Sequence, residues 1–113
     1  MKKLILSIFF LSLFIHHSRS ENTEYLDSIG NCVIDLFKQE KYLDCYNLAK
    51  DLYSLSKEAD DTTLVFNSLY YMGFSNQRMG NMEKAIDYNM RAYEVSQSLQ
   101  RLDLQSSILN NIG

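Results

Sequence analysis

The chain has 113 residues, 46% of them hydrophobic and 22% charged. That is ordinary globular usage with room for about one domain, and it excludes both a disordered chain and a multi-pass membrane protein. The absence of proline and tryptophan, with only four glycines, disfavours turn-dense β folds and favours helix, and a net charge of −3 gives no electrostatic reason to expect nucleic acid as a partner.

Residues 1–20 have the parts of a secretory signal peptide: Lys2 and Lys3, an apolar run from Leu4 to Ile15, and Ser18-Arg19-Ser20 ahead of Glu21. Twelve helical residues reach about 18 Å, short of the roughly 30 Å hydrocarbon core, so cleavage is expected over anchoring. Loss of Lys2, Lys3 and Arg19 leaves eight basic residues against fourteen acids, a net charge of −6. His16 and His17 leave as well, which removes imidazole-based catalysis and histidine–zinc sites from the remainder.

Beyond the leader the spacing predicts helices in pairs. Leu26, Ile29, Val33, Leu36 and Phe37 form one apolar stripe, Gln39-Glu40-Lys41 a turn, and Tyr42, Cys45, Leu48, Ala49, Leu52 and Leu55 a second stripe. Asp60-Asp61-Thr62 offers capping side chains to a helix carrying Val65, Leu69, Met72, Gly73, Asn76 and Met79. Gly80 suits a left-handed helix end and Asn81 can open the next helix, whose stripe is Met82, Ala85, Ile86, Asn89, Ala92, Tyr93 and Ser96. Another helix is expected from near Asp103, with Leu104, Ile108, Leu109 and Ile112. A shift of 40 residues superposes Ile29, Leu69 and Leu109, as well as Tyr53 with Tyr93, Ser56 with Ser96 and Cys45 with Ala85. The expected divisions are a signal peptide at 1–20, hairpins at 21–60 and 61–101, and the first helix of a third unit at 102–113.

No catalytic residues, cofactor or metal site are expected in this segment. Gly73 and Gly80 are not followed by the Gly-Lys-Ser/Thr of a phosphate loop, the serines lack a base, and Asp60-Asp61 reads as a helix cap or solvated loop. Cys32 and Cys45 are expected as two buried thiols in preference to a disulfide.

Leu69-Tyr-Tyr-Met-Gly73, Gly80-Asn-Met-Glu-Lys-Ala85 and Ala92-Tyr93 resemble the tetratricopeptide repeat family. Val33 stands at the family's glycine position in the first unit, Asn76 where it often carries an aromatic, and the 40-residue spacing exceeds its usual 34. The resemblance implies an all-α, right-handed solenoid of antiparallel helical hairpins that binds protein or peptide. Gly73, Ala85 and Ala92 would be its close-packing positions. Its inner face would be lined by Asp27, Gly30, Ile34, Phe37 and Lys38, then Asn67, Tyr70, Phe74, Gln77 and Arg78, with Ser107 and Asn110 beginning a third set. Gly113 falls within a first helix, so the chain is expected to be the N-terminal piece of a longer array, any membrane attachment lying downstream. The order of leader and repeats is also similar to that of bacterial sensors in which an exported array precedes a membrane helix and a kinase or DNA-binding module, which is the alternative expectation.

Overall fold

The computed structural model describes residues 22–112, and every regular element among them is an α-helix. In chain order these are α1 (22–38), α2 (Tyr42–Glu58), α3 (Thr62–Arg78), α4 (Met82–Ser98) and α5 (Leu102–Ile112). The expected leader at 1–20 lies outside the described residues.

Four identical reversals set the helix lengths. The residues Glu40, Asp60, Gly80 and Gln100 have positive φ of 61°, 53°, 84° and 55°. At each, the amide one residue further on donates to a carbonyl five residues back: Lys41 to Leu36 at 2.9 Å, Asp61 to Ser56 at 2.9 Å, Asn81 to Asn76 at 2.8 Å and Arg101 to Ser96 at 3.2 Å. The left-handed residue itself donates three residues back, as Gly80 does to Gln77 at 3.1 Å. This is the Schellman closure, which satisfies carbonyls that a helix end would leave unpaired. The next helix then starts at once: the carbonyls of Lys41, Asp61, Asn81 and Arg101 accept from Cys45, Val65, Ala85 and Gln105.

Capping differs from expectation in one place. Asp61 Oδ1 accepts from the Leu64 amide at 3.2 Å, as a capping aspartate should. Asn81 opens α4 without a side-chain cap, and its Nδ2 donates to Asn76 Oδ1 at 3.4 Å.

The core repeats at 40 residues. The buried residues of α2 are Cys45, Ala49, Leu52 and Ser56, and those of α4 are Ala85, Asn89, Ala92 and Ser96, the same four positions. Ser56 and Ser96 satisfy their hydroxyls on the carbonyls of Tyr53 and Tyr93. α3 packs against both α2 and α4, and its Leu69, Met72, Gly73 and Asn76 are buried. Asn76 is satisfied there, donating to the Met72 carbonyl at 2.7 Å.

One expected burial is corrected. Cys32 is exposed, whereas its counterpart Met72, on a helix packed by both α2 and α4, is 1% exposed. Met82 and Ile86 are 51% and 44% exposed, and Leu109 is 55% exposed. Their counterparts Tyr42 and Tyr46 are half-buried and Leu69 is buried. In the earlier unit Tyr46 meets Tyr88 of α4, whereas no described helix lies at the matching place beyond Ile86. Cys45 is buried, and its Sγ donates to the Val33 carbonyl at 3.4 Å; burial pushes the thiol pKa up, against a smaller lowering from the nearby Ser75 hydroxyl.

The contact between paired helices is filled in two ways. A Cβ on Gly73 would lie 2.5 Å from Asn89 Oδ1 and 3.3 Å from the Ala85 carbonyl, so the absence of a side chain there makes room for Asn89. Forty residues earlier the same positions hold Val33 and Ala49, both buried: volume has moved from one helix to the other. Gly73→Val alone is therefore expected to cost about 1–3 kcal/mol in urea unfolding, and Gly73→Val with Asn89→Ala, which copies the first unit, should recover at least about 1 kcal/mol of it.

The reversals generate a second test. A Cβ at Gly80 would meet nothing within 4 Å, so Gly80→Ala should lose about 1 kcal/mol through backbone conformation alone. Glu40→Gly should move the other way, by about 0.5 kcal/mol or more, since glutamate has to hold the same left-handed geometry. Equal effects of one sign at both positions would contradict this account of the links.

Candidate binding groove

α3 carries an aromatic ladder at four-residue spacing, and its Phe74 meets α1. Phe66 and Tyr70 have ring centroids 5.9 Å apart with planes at 29°, and Tyr70 and Phe74 are 5.9 Å apart at 13°. The Arg78 guanidinium lies over the Phe74 ring, 5.3 Å from its centroid. Residues four apart fall on one helix face, and each ring pair contributes about 0.5–1.5 kcal/mol beyond its burial. Exposure rises along the ladder: Phe66 is buried, Tyr70 and Phe74 are half-buried and Arg78 is exposed.

From α1, Phe37 reaches across to Phe74 at 4.8 Å and Tyr71 at 5.5 Å, and also touches Tyr42 at 5.4 Å. Burial, with Tyr70 and Cys45 nearby, pushes the Tyr71 phenol pKa up, so that hydroxyl stays neutral. Toward the N-terminal halves of α1 and α3 the contact opens into a cleft of about 300 Å³, lined by Asp27, Gly30, Asn31, Val33, Ile34, Leu52, Leu64, Asn67 and Tyr71. Gly30, at the position where α3 has Tyr70, adds no side chain to this cleft.

Most of the expected groove residues therefore come together. Ile34 and Asn67 line the cleft, Phe37, Tyr70 and Phe74 form the aromatic shelf beside it, and Arg78 extends the shelf. Lys38 is exposed on the last turn of α1. Gln77 is half-buried, and its Oε1 is buried without a hydrogen-bond partner among the described residues. Asn31, Phe66 and Tyr71 were not anticipated. The four-residue spacing of Phe66, Tyr70 and Phe74 signals the ladder, but nothing in the spacing brings Asn31 and Tyr71 to one cleft.

The opposite side of the two pairs is held by polar contacts. The Tyr46 and Tyr88 hydroxyls are 3.0 Å apart, and Arg91 Nη2 donates to Tyr53 Oη at 2.9 Å while its guanidinium lies over both Tyr53 and Tyr88. Burial alone would raise the Tyr53 pKa, but Lys57 and Arg91 together hold it below the ordinary phenol value. Tyr88 is pushed up to about 12, first by burial and then by the Tyr46 hydroxyl.

Among the described residues, no three His, Cys, Asp or Glu side chains are grouped to hold a metal ion, and no helix is long and apolar enough to cross a membrane. No family model, curated protein or solved structure matches the chain.

Folding makes the Tyr88 hydroxyl hold its proton more tightly. An unfolded chain loses this proton near 10 and the folded one near 12, so the contribution is complete below pH 10 and is lost as pH rises through about 12. Tyr88→Phe should remove the highest phenolate phase from an ultraviolet titration and flatten the alkaline fall in thermal stability over that window.

Proposed function

We propose that the chain is an exported helical-repeat scaffold that takes a protein or peptide segment along the α1–α3 groove. The observation that carries this reading is the aromatic shelf: Phe37, Tyr70 and Phe74 stay half open, although their rings stack on one another and Arg78 covers only one end. Aromatic and arginine side chains are the residues that dominate protein contacts, because they present large area at low conformational cost. A segment lying on the shelf would bury apolar side chains against Phe74 and Tyr70, with Lys38 and Arg78 orienting an acidic group.

The helices are read as the start of a right-handed solenoid, as the repeat resemblance implies. Two observations support stacking: the 40-residue recurrence of buried positions in α2 and α4, and the exposed apolar side chains on α4 and α5 whose counterparts one unit earlier are covered. In this reading Met82, Ile86 and Leu109 are seats for further helices of the same array. Export rests on the basic, apolar and small-residue sequence of positions 1–20.

A photo-crosslinking residue at position 70 should capture the partner from an envelope fraction. Phe74→Ala and Arg78→Ala should then each weaken binding of that partner by more than tenfold in calorimetry. Unchanged affinity in both variants would refute the groove reading.

A further inference from the structure

We infer that the cleft between α1 and α3 is a pocket for a cationic side chain, arginine or lysine, of the segment that lies in the groove; this rests on the groove reading and names one residue class that the groove selects. The cleft combines an apolar floor of Val33, Ile34, Leu52 and Leu64 with a polar rim of Asp27, Asn31, Asn67 and Tyr71. Such a lining suits an amphipathic side chain whose methylene stem packs below while its charged head stays at the wet rim. Its volume, about 300 Å³, is at the bottom of the range for small-ligand sites, which fits one long side chain.

Charge decides the class. Asp27 is the one acidic side chain among the lining residues, and among the described residues no lysine or arginine pairs with it. The asparagine amides and the neutral Tyr71 hydroxyl can each accept a hydrogen bond from the incoming donor. The groove's own cations, Lys38 and Arg78, stand at the other end. Eleven helical residues separate Asp27 from Lys38, about 16 Å, so one end of the groove is acidic and the other basic. An extended segment covers that distance in about five residues, which orders its charges as well as its apolar contacts.

Gly30 permits a clean test. A Cβ there would sit at ordinary contact distance, 3.5 Å from Leu64 Cδ2 and 3.9 Å from Leu52 Cδ2, so a first side-chain carbon meets only side-chain atoms and the rest of a larger residue enters the cleft region. The probe is the tetrapeptide acetyl-arginyl-alanyl-leucyl-phenylalanine amide, titrated into the ¹⁵N-labelled chain beside the same peptide with uncharged citrulline in place of arginine. The arginyl probe should shift the amides of Gly30, Asn31, Leu64 and Asn67. Citrulline, or Asp27→Asn, should weaken binding about fivefold, the size expected of one partly exposed charge-assisted bond. Gly30→Leu should abolish the cleft shifts and leave those at Tyr70 and Phe74. Equal affinity for both probes, with shifts confined to Phe37, Tyr70 and Phe74, would overturn the cationic pocket while leaving the groove reading standing. No shift in either region would remove both.

Discussion

A helix end leaves carbonyls with nothing to accept, and this chain solves that problem the same way four times. The amides of Lys41, Asp61, Asn81 and Arg101 each reach five residues back, which requires the residue before them to turn left-handed. Everything else follows from that spacing. With reversals at 40, 60, 80 and 100, α2, α3 and α4 have 17 residues each, consecutive helices run antiparallel, and positions 40 residues apart occupy equivalent environments. The closure is indifferent to side chain except at its left-handed residue, and three of those four are not glycine. The chain accepts backbone strain of about 1 kcal/mol at each such place in return for a fixed helix length.

Equivalent positions need not hold equivalent residues, provided the volume is conserved across the seam. Val33 with Ala49 and Gly73 with Asn89 are two fillings of one contact, and only the second leaves a polar atom, Asn89 Oδ1, buried without a partner. The same exchange shapes the groove. Where α3 places Tyr70, α1 places Gly30, which lines the cleft without filling it. The groove thus reflects imperfect repetition.

The all-helical fold was legible because apolar residues recur at three and four along each segment, and Gly80 marks its own turn. The breaks at Gln39-Glu40-Lys41 and Asp60-Asp61 were legible as well, but the left-handed turn of Glu40, Asp60 and Gln100 was not, since their residue types are common inside helices or loops. Periodicity also shows which face of a helix is apolar without showing whether a neighbour covers it, so Cys32, expected as a buried thiol, stands in solvent, and the stripes of Met82, Ile86 and Leu109 are exposed. The shelf residues were reached through the repeat resemblance more than through any stripe, because Tyr70 and Phe74 lie off the Leu69–Met72–Gly73–Asn76 face that the spacing picks out. Tyr71 and Asn31 escaped because their meeting depends on how two helices pack.

The two pairs touch through unlike materials on their two sides. Phe37 against Phe74 is a dry ring contact, whose attraction falls away within a fraction of an ångström of separation. The Tyr46–Tyr88 hydroxyl bond and the Arg91–Tyr53 bond are polar, and water can replace either with little loss. Parting the phenylalanines would therefore cost the pairs a contact that water cannot replace, whereas the hydroxyl bonds on the far side are open to exchange with solvent.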